Sequence, residues 1–255
     1  MYPILFDFAN ITVKTYHVMM FLGIIAGFIT LHFNLRKTNA KNYKNTLLFA
    51  ALIFIPFIFA ARAGYLLECM IAKRPFCVSG AWYDIVGPVS LWWGLVFAVL
   101  CAFPVARLLK TDVWDTADVF SPSIAIGGVF IRIGCFFNGC CFGTVCPDAF
   151  PFAVVFPIVP YDPSAEVFRY PVQLYSSLAW LFIFIVLMLR EKKRFFKGEI
   201  ILDMAFLFSF LNFFIEFYRY HIVKSMFSIS QIFSIMIMII SLFLYYYFLK
   251  KHTKH

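Results

Sequence analysis

Three arginines and one glutamate stand inside long apolar runs of this chain: Arg62, Arg132, Glu216 and Arg219. An ionised side chain at the centre of a bilayer costs about 3 kcal/mol on insertion scales, so each such group needs a partner or a task. Arg132 opens the stretch RIGCFFNGCCFG, residues 132–143, which also holds Cys135, Cys140 and Cys141 together with Gly134, Gly139 and Gly143. Further along, Asn212, Glu216 and Arg219 recur at i, i+4 and i+7, a spacing that predicts one shared helical face. Three positive charges against one negative charge leave an excess of positive charge among apolar helices. A structural network, with Glu216 neutralising Arg219 or Arg132, is one reading. A lipid phosphate is the other, because the planar guanidinium fork donates paired hydrogen bonds to phosphate. On that reading Arg132, Glu216 and Arg219 are the catalytic candidates, and Arg132 and Arg62 are candidates for holding a phospholipid head group that enters from the outer leaflet.

The elements that must position these groups are membrane spans. Of the 255 residues 63% are hydrophobic and 14% charged, and the mean hydropathy is +0.86. A soluble domain of this length has no interior large enough for so much apolar surface. With about 20 residues needed to cross a bilayer, the sequence predicts an all-α polytopic membrane protein. Its seven spans fall near residues 16–35, 47–71, 87–109, 117–137, 172–189, 199–218 and 228–249. The connections after the first, third, fifth and seventh are basic, the fifth most densely (Arg190, Lys192, Lys193, Arg194 and Lys197). By the positive-inside rule the N-terminus is expected outside and the C-terminus in the cytoplasm. The net charge of +9 is thereby explained by topology, and no nucleic-acid partner is expected. Met1 to Thr15 carries Asp7 and lacks a basic start followed by a small-residue cleavage site, so no cleaved signal peptide is expected. No repeat and no soluble domain interrupt the chain, which reads as one transmembrane domain over 1–255. Its longest irregular segment is a Cys/Pro-rich extracytoplasmic loop at 138–171 that leaves the outer end of the fourth span.

An ordered set of motifs resembles the prolipoprotein diacylglyceryl transferases, membrane enzymes that move diacylglyceryl from phosphatidylglycerol to the cysteine of a lipoprotein precursor. The set runs from Tyr16-His17-Val18-Met19 and Arg62-Ala63-Gly64-Tyr65 to a central signature matched at Arg132, Gly134, Phe136, Asn138, Gly139 and Gly143. Pro171, Gln173, Leu174 and Tyr175 follow, then Gly198-Glu199, Phe214 to Phe217 with Arg219, and Ser230-Gln231. The sequence departs from the family pattern at four places. Trp92-Trp93 stands where the family has a histidine-glycine pair, Cys135 and Cys140 replace an asparagine and a glutamate, Asn212 replaces an arginine, and Tyr170 a histidine.

The resemblance implies that a precursor thiolate attacks the glyceryl carbon, giving a thioether and releasing glycerol phosphate. Its partners would be phosphatidylglycerol, the lipobox cysteine of a prolipoprotein and the bilayer itself, in a bacterial plasma membrane, with no cofactor. Arg132 and Arg219 would oppose charge growing on the departing phosphate, and Asn138, Gly139, Gly143 and Tyr16 join Arg132 and Arg62 around the head group. The glycines serve helix packing equally well. Glu216 is read as orienting an arginine in preference to acting as base, and Trp92 and Trp93 as anchors at the outer interface. Six cysteines, Cys69, Cys77, Cys135, Cys140, Cys141 and Cys146, fall at or beyond the outer face, an even number that favours disulfides over free thiols or a metal. The C-x4-C-C-x4-C spacing lacks the C-x2-C pairs and histidines usual for structural zinc. Other functions stay open on these residues: a divergent transferase with another acceptor, a membrane thiol-disulfide oxidoreductase, and a non-catalytic phospholipid-binding or transport protein.

Overall fold

The computed structural model describes residues 4–8, 11–37, 43–71, 90–147, 150–156, 167–220 and 226–253. A short antiparallel hairpin comes first, β1 (Ile4–Phe8) with β2 (Ile11–Lys14). The helices are α1 (Thr15–Lys37), α2 (Tyr43–Ile71), α3 (Leu91–Leu109), α4 (Val113–Asn138), α5 (Val172–Arg190), α6 (Glu199–Ile215) and α7 (Ile229–His252). Strands β3 (Val154–Val155) and β4 (Phe168–Arg169) pair in the loop between α4 and α5. All seven helices are long and apolar enough to cross a membrane, which is the expected architecture. The boundaries differ by a few residues: α2 begins before residue 47 and α4 before 117, and α3 starts only after Ser90. By contacts the chain forms two compact units, Met1–Lys37 with Ala117–His255, and Thr38–Thr116.

In the second of these units α2 packs against α3 through a glycine. A Cβ on Gly64 would lie 2.1 Å from Trp93 Cγ, so only glycine admits the indole. The Trp93 ring also has a packing role, seated on the helix that carries Arg62. The N–H of Ser90 donates to Ala61 O at 2.9 Å and Asn45 Nδ2 to Leu109 O at 3.1 Å, tying both ends of the pair. Lys110 ends α3 in the left-handed conformation (φ 52°). Asp112 then caps α4, its Oδ1 accepting from the N–H groups of Trp114 and Asp115 at 3.0 Å each.

In the larger unit the core of Ala125, Ile183, Leu187 and Ile200 is fully buried. Apolar burial brings little gain between helices already in lipid, so close packing and polar contacts must hold them in place. The decisive polar contact joins α4 to the start of α6. Gly198 precedes α6 in the left-handed region (φ 93°) and has no side chain with which to cap it. Asp118, eighty residues earlier on α4, does so in its place: Oδ2 accepts from Gly198 N at 2.7 Å and Oδ1 from Ile201 N at 2.9 Å. The carboxylate meets the positive end of the α6 dipole, and Arg194 Nη1 lies 3.5 Å from it. Beside it Arg190, in the last turn of α5, pairs with the fully buried Glu199 and, at 2.8 Å through Nε, with Asp203 Oδ2. Tyr245 of α7 donates to the same Glu199 carboxylate at 3.3 Å. One polar cluster thus fixes four helices at the end of the bundle where the sequence is most basic.

Removing the borrowed cap should loosen the bundle. Asp118→Ala leaves two N–H groups without their acceptor and Arg194 without its carboxylate, and should cost about 2 kcal/mol or more. A fall in the thermal unfolding midpoint of the detergent-purified protein, larger than for Asp112→Ala, is the expected result. Equal midpoints for the two variants would contradict the cap's role.

Candidate functional site

Arg132 lies six residues before the end of α4 at Asn138, between one and two turns inside the helix. It faces a like charge, Arg219, and one opposite charge, Glu216. Helix α6 delivers only the second of these. It ends at Ile215, Glu216–Tyr218 form a tighter 3-10 turn, and Arg219 is extended (φ −81°, ψ 140°). The expected single helical face therefore reaches from Asn212 to Glu216 and stops there. Arg219 arrives by another route, because its extended backbone bridges to Gly143 in the loop after α4. Its Nη1 still donates to Glu216 Oε2 at 2.9 Å. The other carboxylate oxygen, Oε1, accepts from Ser228 Oγ at 3.4 Å, and Ser228 with Gln231 forms the capping box that starts α7. Glu216 is 3% exposed, so a carboxylate shared between an arginine and a helix cap is satisfied without water. Arg219 Nε has no acceptor among the described residues, and Arg132 has no hydrogen bond or ion pair there. Glu216 is thus paired with Arg219 and not with Arg132.

Arg132 also stands at the edge of a narrow crevice between α4, α5 and α6, whose free volume of about 10 Å³ is no more than a water molecule needs. Ser176 and Asn212 are its other polar residues, while Trp180, Ile183, Phe208 and Leu211 make it apolar. Trp180 stacks on Phe208 with ring centroids 4.7 Å apart. Asn212, which stands where the resemblance puts an arginine, has its amide committed. Nδ2 donates to Ser230 Oγ at 3.2 Å and Ser234 Oγ at 3.1 Å, joining α6 to α7.

The loop after α4 is held by a small web of backbone bonds. Gly143 N donates to Tyr170 O at 3.1 Å, Thr144 N to Tyr218 O at 2.8 Å and Tyr220 N to Phe142 O at 3.2 Å. A Cβ on Gly143 would stand 2.5 Å from Tyr170 O, so its missing side chain is explained by this close approach. Gly134 lets α1 approach α4, with Tyr16 Cδ2 3.3 Å from where its Cβ would be. Under the web lies Arg169, 1% exposed. Its guanidinium sits 5.0 Å from the Phe142 ring and 5.2 Å from that of Tyr220, and Nη1 donates to Gly143 O at 3.3 Å. In sequence Arg169 reads only as one of the few basic residues outside. What could have marked it is its place directly before Tyr170-Pro171, at the mouth of a span.

The cysteines differ from the expectation. Cys101, Cys135, Cys140, Cys141 and Cys146 are free thiols, so no disulfide forms among the described cysteines; Cys77 and the side chain of Cys69 lie outside the described residues. Cys146 is buried apart, its N–H bonded to Phe168 O at 2.9 Å. The Sγ atoms of Cys135, Cys140 and Cys141, by contrast, all lie within 4.8 Å of one another. A turn in the left-handed region makes this possible, with Gly139 at φ 70° and, unusually for a residue with a side chain, Cys141 at φ 59°. Gln173 Nε2 clamps it by donating to Cys140 O at 2.7 Å. Asn138 hydrogen-bonds to the Cys140 thiol. Cys141 is exposed, and its thiol is held well below the ordinary range, first by hydrogen bonds from Cys135 and Cys140 and then by the Arg219 and Arg132 guanidiniums. Tyr16 lies in the field of the same three cysteines and of Arg132.

Of the expected site residues, Tyr16, Arg132, Asn138, Gly139, Gly143, Glu216 and Arg219 thus gather around the C-terminal end of α4. Arg62 belongs to the other unit, where it is buried with its guanidinium 5.8 Å from the Tyr65 ring centroid.

Comparison with known proteins places this arrangement. The family model for prolipoprotein diacylglyceryl transferase matches residues 3–247. A phosphatidylglycerol–prolipoprotein diacylglyceryl transferase of Clostridium tetani is 26% identical over 248 residues, covering 96% of this chain and 97% of its own. One from Wolbachia pipientis is 28% identical, covering 85% and 81%, and one from Clostridium botulinum is 27% identical over the whole of both chains. With a match that spans nearly its full length, this seven-helix chain belongs to the prolipoprotein diacylglyceryl transferase family.

Proposed function

We propose that this protein transfers a diacylglyceryl group from phosphatidylglycerol to the lipobox cysteine of a prolipoprotein, in a bacterial plasma membrane with its site open to the outer leaflet. The observation that carries the reading is the pairing at the end of α4: Arg219 donates to Glu216, while Arg132, in the field of both, has no ion pair among the described residues. A phosphodiester is an anion that would supply one. The unused N–H groups of Arg132 and Arg219 are donors suited to its oxygens. Beside Arg132, Trp180, Ile183, Phe208 and Leu211 present apolar surface, the kind that lipid tails pack against.

The chemistry follows from that placement. The acceptor sulfur forms a bond to the glyceryl carbon as the carbon–oxygen bond to phosphate breaks. The electron pair of that bond goes to the phosphate oxygen, and glycerol phosphate departs. Negative charge therefore grows where the guanidiniums point, and donors fixed before the reaction stabilise it without reorganising. Glu216, bonded to both Arg219 and Ser228, positions Arg219.

The basic cluster of Arg190, Lys192, Lys193, Arg194 and Lys197 supports a cytoplasmic location for the α5–α6 connection, hence an outer location for the three cysteines and the loop. A fluorescent protein fused to the C-terminus should light up in cells, and a phosphatase that works only outside the cytoplasm should be inactive there. The reverse pair of results would invert the topology and move the site to the inner leaflet.

Transfer itself is measured with purified protein, labelled phosphatidylglycerol and a lipobox-cysteine peptide. Arg132→Ala should lower the rate by about 100-fold or more, the scale of removing a preorganised donor. Arg132→Lys, which keeps the charge and loses the fork, should also be impaired. Glu216→Gln should cost less than Arg132→Ala. Full activity of the lysine variant would remove the bidentate role, and a Glu216→Gln loss exceeding that of Arg132→Ala would make Glu216 the base.

A further inference from the structure

We propose that Cys135, Cys140 and Cys141 form a three-thiolate site for a soft d10 metal ion, of which Zn2+ is the first candidate, with the fourth coordination position left for the thiol of the acceptor. The geometry is nearly assembled. With the three Sγ atoms within 4.8 Å of one another, an ion at their centre stands no more than about 2.8 Å from each, and a contraction of about half an ångström gives ordinary zinc–sulfur distances. Thiolate sulfur is the donor that selects zinc or monovalent copper over hard cations. The backbone is bent to bring these atoms together: Cys141 adopts φ 59° where glycine is the usual occupant. A side-chain residue held in that region without a ligand is a cost the local sequence could have avoided, and such outliers collect at functional sites.

The surroundings favour a bound cation with anionic ligands. The site closes the C-terminal end of α4, where the helix dipole is negative. Gln173, 0% exposed, fixes the turn from α5 through Cys140 O, as supporting contacts do for metal ligands. Ligation converts the thiols to thiolates and releases their protons to solvent. A zinc site with three protein ligands has a fourth position for an incoming group. A metal held there by Cys135, Cys140 and Cys141 would lower the pKa of an entering thiol, the proton passing to solvent, so that the acceptor would need no protein base. The choice of acceptor thiol as fourth ligand rests on the transferase reading; the metal site itself does not.

The test uses the full chain, purified in detergent, reduced, stripped with chelator and then equilibrated with Co2+ or Zn2+ alone. The expected result is one ion retained per chain, with a thiolate-to-cobalt charge-transfer band. Retention should fall by about tenfold or more in Cys135→Ser, Cys140→Ser and Cys141→Ser, and remain unchanged in Cys146→Ser and Cys101→Ser. Variants are compared only where their unfolding transition in the absence of metal matches the parent's. A lipobox-cysteine peptide should shift the cobalt spectrum, and the same peptide with serine should not. Failure of the reduced parent protein to retain an ion, or retention indifferent to the three serine variants, overturns the site. An ion retained with a spectrum that the cysteine peptide leaves unmoved overturns its role towards the acceptor. Absence of diacylglyceryl transfer by the metal-loaded protein would count against the transferase reading alone, since ion retention is read without lipid.

Discussion

The buried charges at the C-terminal end of α4 constrain everything around them. Two guanidiniums and one carboxylate sit among apolar helices, where an unbalanced charge is costly. The fold meets this cost by fixing Glu216 from two sides, Arg219 and the cap of α7, so that the carboxylate cannot swing to Arg132 without giving up a partner. Arg219 is in turn held by its backbone bridge to Gly143, and Gly143 by Tyr170. Three separate stretches, the end of α4, the mouth of α5 and the turn after α6, thus converge on one site.

The opposite end of the bundle is its counterpart. There the charges are tied by ion pairs and a helix cap: Asp118 with the α6 N-terminus and Arg194, and Arg190 with both Glu199 and Asp203. Such a cluster fixes the helices, whereas Arg132 at the far end of α4 has no ion pair among the described residues and is suited to receiving an anion. Both clusters draw on α4 and α6, which couples the stability of one end to the geometry of the other.

Much of this was legible in the sequence because membrane insertion imposes simple rules. The seven spans follow from apolar runs, and Arg132, Glu216 and Arg219 stand out because ionised residues are rare in such runs. Asn212, by contrast, reads as a loss of a family arginine, whereas its amide binds two serines of α7 that no spacing rule would pair with it. Arg219 was placed on a helix because the i+7 extrapolation ignored the point where α6 ends. The aromatic run Phe217-Tyr218, ahead of a residue that pairs with a distant loop, gives no local sign of that break. The cysteines pointed to disulfides because their number is even and their compartment oxidising. What decides their arrangement is a left-handed turn at Gly139 and Cys141, and nothing in a spacing of four residues announces it. Asp118 as a cap for Gly198 was out of reach for a similar reason, since the two are eighty residues apart.

The most direct measurement of the central claim is lipid binding, before any chemistry. Native mass spectrometry of the protein released from mixed vesicles of phosphatidylglycerol and phosphatidylcholine would count which lipid remains bound. An excess positive charge at Arg132 and Arg219 predicts selective retention of the anionic phosphatidylglycerol, lost in Arg132→Ala and kept in Arg107→Ala, whose exposed side chain lies in the last turn of α3. Equal retention of both lipids, unchanged by Arg132→Ala, would show that the guanidiniums are balanced within the protein and that the site is not a head-group site.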